Sequence, residues 1–238
     1  MDNQFDGRVK RALWFDLAQC EYTEICHLQE RLHQKRLHDS IPDVLLFLEH
    51  FPCITIGSAG GHHNILASND TLEKFGITVH ETSRGGNVTY HGPGQLICYP
   101  ILSLEGKQRD LHAYAHNMEE VIIRTLQHFA IKAGRKANYP GVWVGGSKIG
   151  ALGIAVRKWT TMHGVSLNVC PDFRHFSCIV PCGISGHGVT SMEQVLGHTV
   201  DCAEVRMVMC RSFADIFQMR LDAGQLQDVI EENIYETA

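Results

Sequence analysis

The sequence predicts an α+β or α/β fold in which a mixed central β-sheet is flanked by helices. Three observations support this class: a β-rich middle, amphipathic helical patterns on both sides of it, and an ordinary globular composition. Hydrophobic residues make up 44% and charged residues 20% of the 238 residues, which excludes disordered, collagen-like and coiled-coil classes. No repeat, low-complexity tract or linker divides the chain, so we predict one domain over residues 1–238.

Helical periodicity marks four candidate helices. In the first, Glu21–Leu37, the residues Ile25, Leu28 and Leu32 recur at helical spacing among charged side chains. The other three are predicted over Asp110–Phe129, residues 201–221 and Gln225–Tyr235. The first two are amphipathic, so each is expected to lay one apolar face on a sheet.

Short runs rich in β-branched and aromatic residues mark the candidate strands. They are Val44–Leu48, Cys53–Ile56, Ile77–His80, Leu96–Pro100, Val142–Val144, Ile149–Arg157, Met162–Asn168 and Cys178–Val180. Most lie between the first and third helices, which places the sheet in the middle of the chain.

Charge and cysteine usage limit the classes of function. The formal charge is −5 and the basic residues are scattered, so nucleic acid is not an expected partner. No apolar run suits a signal peptide or a membrane span, so no membrane partner is expected either. Nine cysteines, an odd number, are typical of reduced thiols in the cytoplasm. They form no C-x-x-C pair, and their spacing to histidines does not match a zinc site.

The glycine-rich segment RGGNVTYHGPGQ, residues 84–95, is the first candidate site. Glycine lets backbone approach a ligand closely, while Arg84, Thr89, Tyr90 and His91 supply hydrogen-bond donors. A hairpin turn is the competing interpretation, but the Arg, Tyr and His side chains favour a site. The segment matches neither the dinucleotide fingerprint nor the phosphate loop.

A second glycine-rich segment, GGSKIGALG at residues 145–153, places Lys148 in a turn that leads into small residues. By composition alone, Lys148 is a solvated turn charge. Ala151, Gly153 and Gly164 could instead leave room for a long, thin apolar ligand.

Cys182 lies in the segment PCGISGHGVTS, residues 181–191, between a candidate strand and a glycine-rich loop. Most unpaired cysteines are buried and inert. A free thiol is only about 3% thiolate at pH 7, so a nucleophilic cysteine needs a cation or a base beside it. Lys148 is one candidate partner, and His187 and His163 are rival bases for a Cys/His arrangement.

Together these segments resemble the lipoyl(octanoyl) transferases, which have the biotin/lipoate protein ligase fold. The resemblance covers most of residues 50–192. It includes HFPCITIG at 50–57, the whole 84–95 segment, PGVWV at 140–144, Lys148-Ile149, MHGVSLNV at 162–169, PCGI at 181–184 and Val189-Thr190-Ser191.

The resemblance implies the first step of endogenous protein lipoylation. Cys182 would take an octanoyl group from octanoyl-acyl carrier protein as a thioester, and a lysine of a lipoyl domain would then attack it. Lys148 would tune the cysteine and shuttle protons. No cofactor or metal is implied. The implied acceptors are the lipoyl domains of 2-oxoacid dehydrogenase complexes and the glycine cleavage H protein.

The resemblance also assigns the substrate contacts. They are Arg84, Gly85, Gly86, Asn87, Val88, Thr89, Tyr90 and His91, then Ala151, Leu152 and Gly153, then Gly164, Val165 and Ser166. Two alternatives remain open at this point. An ATP-dependent lipoate or biotin ligase would share the loop and the lysine but would not need Cys182. A non-catalytic binder of acylated proteins would leave that thiol inert.

Overall fold

The computed structural model describes residues 10–105, 109–180 and 187–230, whose strands form a large and a small sheet. The strands of the large sheet follow the order β12-β1-β2-β6-β10-β9-β8-β7, and β11 pairs with β9. These strands are β1 (Lys10–Cys20), β2 (Asp43–His50), β6 (Gln95–Ile101), β7 (Gly134–Lys136), β8 (Tyr139–Val144), β9 (Ser147–Arg157), β10 (Thr160–Asn168), β11 (Gly188–Val189) and β12 (Met219–Ala223).

The large sheet is mixed. Strand β1 runs parallel to both β12 and β2. From β2 onward, the path through β6, β10, β9, β8 and β7 is antiparallel. The predicted mixed sheet is therefore confirmed.

The small sheet has the order β4-β3-β5. Its strands are β3 (Cys53–Ile56), β4 (Thr78–Glu81) and β5 (Val88–His91). Strand β5 and the start of β6 both fall in the glycine-rich segment 84–95, so this segment carries the chain from the small sheet into the large one.

Helices cover both faces of the large sheet. They are α1 (Tyr22–Leu37), α2 (Asn69–Lys74), α3 (Leu111–His128), α4 (Phe173–Phe176), α5 (Met192–Leu196), α6 (Cys202–Phe217) and α7 (Gln227–Ile230), with a 3-10 turn at His62–Asn64. Asp110 caps α3, its carboxylate accepting from the backbone N–H groups of His112 and Ala113. Both long-helix predictions, α1 and α3, are confirmed.

Alternation along β2 shows why both faces need cover. Leu45 and Phe47 pack with α3 and α6, whereas Leu46 and Leu48 pack with α1 on the opposite face. Successive side chains of a strand point to opposite sides, so a strand that is apolar throughout must be covered twice. A third apolar cluster lies under the small sheet, around Tyr90 and Phe176.

Three element predictions need correction. Cys178–Val180 is not a strand, and Ile179 makes only an isolated bridge to Ile65. The helix predicted over 201–221 ends at Phe217, because Gln218 turns left-handed with φ of 52° and β12 follows. The last predicted helix is shorter, Gln227–Ile230, and residues 231–235 lie outside the described residues.

None of the helices in the described part of the chain combines the length and the apolar character that crossing a membrane requires.

Candidate active site

Arg84 ties the glycine-rich segment to the small sheet. Its Nε and Nη2 donate to the Thr55 hydroxyl, and Nη2 also donates to the carbonyls of Thr55 and Asn87 at 2.7 and 2.8 Å. Nη1 donates to the Gly85 carbonyl at 3.0 Å. The side chain is buried, so these bonds compensate the loss of its hydration. Arg84 therefore shapes the segment by contacts within the protein.

A cavity of about 280 Å³ lies between this segment and strands β9 and β10. Twelve of the fourteen predicted substrate contacts line it: Arg84, Gly86, Asn87, Val88, Thr89, His91, Ala151, Leu152, Gly153, Gly164, Val165 and Ser166. The structure thus brings together residues from three separate segments of the chain around one space.

Gly85 and Tyr90 do not line the cavity. The Gly85 N–H donates to the Ile154 carbonyl at 2.9 Å, which fastens the segment to β9. The Tyr90 ring points into the small-sheet cluster, where its hydroxyl lies 2.7 Å from His175 Nδ1. Both residues support the cavity wall from outside.

Four further residues line the cavity: Tyr99, Asn138, Tyr139 and Pro140. Tyr99 lies on β6, which pairs with β10 in the sheet and so brings Tyr99 next to Gly164. The order of strands in a sheet cannot be read from local sequence patterns. The other three belong to the β7–β8 hairpin, where Asn138 turns left-handed with φ of 66°. Asn138, two residues before the PGVWV motif, could have indicated this hairpin turn, since asparagine favours left-handed turns.

A chain of hydrogen bonds links the cavity to Lys148. His91 Nδ1 donates to Gln95 Oε1 at 2.6 Å, and Gln95 Nε2 donates to Asn168 Oδ1 at 2.9 Å. Asn168 Nδ2 donates to the Thr190 carbonyl at 3.0 Å, and the Thr190 N–H donates to the Lys148 carbonyl at 2.9 Å. These hydrogen bonds fix the glycine-rich segment, strand β10 and the Val189-Thr190-Ser191 segment in position relative to Lys148.

Lys148 is buried on β9, with its ammonium 5.1 Å from the centre of the Trp143 ring. Strand β11 pairs with β9 through Gly188 and Ser147 and through Val189 and Lys148. The chain that resumes after residue 186 is therefore bound to the strand that carries the lysine.

Cys182 lies outside the described residues. On one side of it in the sequence, the Val180 N–H donates to the Asn64 carbonyl at 2.8 Å. Asn64 in turn donates through Nδ2 to Asn87 Oδ1 in the glycine-rich segment, at 2.9 Å. The chain therefore departs beside the glycine-rich segment at Val180 and resumes beside Lys148.

The eight cysteines among the described residues are all free. Burial is the main cause that raises the pKa of each of them: Cys20, Cys26, Cys53, Cys98, Cys170, Cys178, Cys202 and Cys210. A raised pKa lowers the thiolate fraction at neutral pH, so none of the eight is poised as a nucleophile.

The two rival histidines occupy different places. His163 is buried on β10 with Nε2 3.3 Å from the Ser83 hydroxyl, and burial lowers its pKa to about 4. His187 packs against Tyr139 and Trp143, with ring centroids 5.0 and 5.4 Å away. His187 therefore shares the Trp143 ring with Lys148, whereas His163 lies beside the glycine-rich segment.

Gly153 and Gly164 line the cavity, and each also has a packing reason to lack a side chain. A Cβ at Gly164 would lie 2.1 Å from the Cys98 carbonyl oxygen, and one at Gly153 would lie 2.9 Å from Arg84 Cδ. The absence of a side chain at Gly164 therefore lets β6 and β10 approach closely, and at Gly153 it makes room for Arg84.

Gly164→Ala is expected to destabilise the protein by about 3 kcal/mol, because the added methyl group meets backbone that cannot move away. Urea denaturation would measure this loss. Gly146→Ala is the matched control, since no heavy atom lies within 4 Å of a Cβ built there. Equal stability of the two variants would contradict this account.

Three buried histidines near the cavity are held neutral. Burial lowers the pKa of His50 and of His163 to about 4, and that of His91 to about 3. His50 Nδ1 donates to the Cys20 carbonyl, which leaves Nε2 to accept from the Tyr99 hydroxyl at 3.0 Å. These three imidazoles therefore gain protons at a higher pH in the unfolded chain than in the folded protein.

Stability is expected to fall as the pH drops below about 6.5, the pKa of an unfolded histidine. Between that pH and about 4, the unfolded state binds protons that the folded state does not, which costs about 2 kcal/mol per histidine from pH 7 to pH 5. Urea denaturation at several pH values would measure the slope. His50→Gln should make the slope shallower. A flat profile for the unmodified protein would refute the expectation.

Among the described residues, no group of three or more His, Cys, Asp or Glu side chains is arranged to hold a metal ion.

Comparison with known proteins identifies relatives over nearly the whole chain. Residues 21–214 match the family described as the lipoyl protein ligase A/B catalytic domain. The octanoyltransferase of Caldicellulosiruptor saccharolyticus is 43% identical over 226 residues, covering 93% of this chain and 96% of its own. That of Caldicellulosiruptor bescii is 47% identical over 208 residues, covering 87% and 91%.

Solved structures share the fold at low sequence identity. A putative lipoate protein ligase from T. acidophilum aligns with a TM-score of 0.71 at 19% identity, covering 93% of this chain and 91% of its own. The biotin protein ligase of Aquifex aeolicus, without ligand, aligns with a TM-score of 0.51 at 13% identity, covering 88% and 69%. The predicted biotin/lipoate protein ligase-like fold is confirmed.

Proposed function

The chain belongs to the octanoyltransferases of the lipoyl protein ligase A/B catalytic-domain family, and from that membership we propose that it carries an octanoyl group on Cys182. The donor is octanoyl-acyl carrier protein and the acceptor is a lysine of a lipoyl domain. This transfer is the first step of endogenous protein lipoylation.

The observation that carries the proposal is the position of Lys148 between the acyl-sized cavity and the strand that follows Cys182. Lys148 lies on the same strand as Ala151, Leu152 and Gly153, which line the cavity, and Val189 pairs with it directly. The raised pKa of the other eight thiols supports Cys182 as the nucleophile.

In the first step the Cys182 thiolate attacks the acyl carbonyl of the donor. A new C–S bond forms, the bond to the carrier breaks, and the carrier thiolate leaves and takes up a proton, supplied by the Lys148 ammonium. Donors near the carbonyl oxygen stabilise the tetrahedral intermediate. The products are octanoyl-Cys182 and the free thiol of the carrier.

In the second step the acceptor amine attacks the octanoyl-Cys182 carbonyl. The C–N bond of the amide forms and the C–S bond breaks, which returns the thiolate of Cys182. Neutral Lys148 takes the proton that the amine loses, which resets it for the next turnover.

The cavity suits the octanoyl chain. Its wall includes Val88, Leu152 and Val165, with Gly86 and Ala151 adding little bulk. Burying about six methylenes and a methyl group is worth on the order of 5 kcal/mol at about 0.8 kcal/mol each. Binding of the chain would therefore hold the reacting carbonyl close to Cys182.

The proposed acceptors are the lipoyl domains of 2-oxoacid dehydrogenase complexes and the glycine cleavage H protein. The related octanoyltransferases support an enzyme of this kind, and free thiols throughout the described residues suit the cytoplasm. We assign the whole activity to one catalytic domain over residues 1–238.

The test uses the unmodified enzyme with octanoyl-acyl carrier protein and no ATP. Intact-mass analysis should show one added octanoyl group, peptide mapping should place it on Cys182, and a lipoyl domain added next should remove it. An enzyme that forms no adduct and octanoylates the domain only with free octanoate and ATP is a ligase, and that result would overturn the proposal. If it forms no adduct and transfers nothing, it is a non-catalytic binder.

A further inference from the structure

Two lysines and a tryptophan occupy one face of the large sheet on three neighbouring strands. Lys136 lies on β7, Trp143 on β8 and Lys148 on β9, in that spatial order. Trp143 is paired with Lys148 on one side and with Gly134 on the other. Directly paired residues share a face of the sheet, and Lys136, which lies past a register shift in the β7–β8 pairing, contacts the same indole. The indole is therefore placed between the two lysine side chains.

Both ammonium groups lie at cation–π distance from the indole. Lys148 Nζ is 5.1 Å and Lys136 Nζ is 5.0 Å from the centroid of the Trp143 ring. Trp143 is 4% exposed and Lys148 is 8% exposed. Attraction between an ammonium and a ring face is strongest where water is excluded, so the Lys148 contact is in the favourable range.

The indole is itself held in place. Its Nε1–H donates to the Tyr139 carbonyl at 3.0 Å, and the His187 ring packs edge-on against it at 5.4 Å. Lys136 Nζ donates to a ring nitrogen of His187 at 3.2 Å. Trp143 therefore has one orientation, and its ring offers Lys148 a fixed surface.

Strand β8 also confines the stem of Lys148. Gly141 has φ of 111°, and a Cβ there would lie 3.4 Å from Lys148 Cε. Backbone at Gly141 and the ring of Trp143 thus flank one lysine. These two contacts limit the directions in which the Lys148 ammonium can move.

We propose that Trp143 is a positioning residue for Lys148, holding its ammonium by the indole face, with Lys136 and His187 also in contact with the indole. This inference rests on the proposed function, in which Lys148 exchanges protons with Cys182. An aromatic face attracts an ammonium yet does not accept its proton, so it orients the lysine without competing for that proton.

The position of Trp143 sets the kinetic signature. Trp143 does not line the acyl cavity, so its loss should slow acylation of Cys182 without weakening donor binding. A purely structural role would change both quantities together with the melting temperature.

The first experiment compares Trp143→Leu with Trp143→Phe in single-turnover acylation by octanoyl-acyl carrier protein, followed by intact mass. Trp143→Leu should lower the maximal acylation rate by about tenfold, with the half-saturating donor concentration within about twofold. Phenylalanine keeps a ring face, so Trp143→Phe should recover to within about threefold of the unmodified rate. Trp159→Leu, which removes an indole stacked with Arg109 at 5.8 Å elsewhere, is the control and should not slow acylation.

A second measurement leaves the shape of the residue intact. The chain has three tryptophans, so a Trp14→Phe, Trp159→Phe enzyme carries Trp143 alone and can be produced with fluorinated tryptophans. Each added fluorine weakens the negative ring face, and the acylation rate should fall stepwise along the series. This series keeps the test decisive even where Trp143→Leu does not fold.

The outcomes separate the two proposals. An unmodified enzyme that forms no octanoyl-Cys182 refutes the proposed function. Where the adduct forms, unmodified rates in Trp143→Leu or across the fluorinated series overturn the role of Trp143. Equal slowing in Trp143→Leu and Trp143→Phe also overturns it, because the Nε1 bond to Tyr139 would then be the contact that matters.

Discussion

Replacement of Cys182 by alanine is expected to abolish the octanoyl-enzyme and to lower octanoyl transfer at least about 1000-fold, as loss of a nucleophile does in other covalent mechanisms. Burial raises the pKa of the other eight thiols, so none of them is expected to take over this role. Intact mass after incubation with the donor and steady-state transfer to a lipoyl domain would measure both effects.

The control for this variant is Cys170→Ala, which removes a partly exposed thiol and should keep both the adduct and the rate. Undiminished transfer by Cys182→Ala would show that no acyl-cysteine lies on the pathway. The ATP-dependent mechanism would then become the better explanation.

Replacement of Lys148 by arginine is expected to lower kcat by about 100-fold, within the range that a positioned acid or base contributes. Arginine keeps the positive charge but does not give up its proton at physiological pH, so it cannot exchange protons with Cys182 and the acceptor amine. It can still lie on the Trp143 ring, and the fold should therefore be retained. Steady-state kinetics with a thermal melt would separate turnover from stability.

Lys132→Arg, on the exposed surface, is the matched control and should leave kcat unchanged. A Lys148→Met variant should be at least as slow as Lys148→Arg, because it loses the charge as well as the proton. Activity of Lys148→Arg at the level of the unmodified enzyme would exclude Lys148 from the proton transfers.

Local periodicity was sufficient for elements whose apolar pattern is unambiguous, such as α1 and α3. It failed where tertiary context decides. The run Cys178–Val180 is apolar because Cys178 and Ile179 fill the small-sheet cluster, and burial alone does not make a strand. The left-handed turn at Gln218 is equally invisible, since glutamine has no special preference for it.

Most residues that line the cavity could be predicted from the sequence, but their additional contacts within the protein could not. Arg84 was expected to offer donors to a ligand; it lines the cavity, and its nitrogens also hold Thr55 and Asn87. Gly164 was expected to leave room for a ligand; it lines the cavity, and its lack of a side chain also lets two strands approach. Arg84 contacts Thr55, 29 residues earlier in the chain, and Gly164 lies against Cys98 on the neighbouring strand. The spacing of residues within a motif does not show such long-range contacts.

The pairing of β1 with β12 affects how the molecule is made. Lys10 lies opposite Met219 in the register of these strands, so the earliest described strand acquires one of its two neighbours only after more than 200 further residues have been synthesised. Contacts between such distant parts of a chain form late and slowly. Until then one edge of β1 is unpaired and can recruit another chain. Substitutions that weaken β12 should therefore lower the yield of folded protein and increase its need for chaperones, although β12 is short.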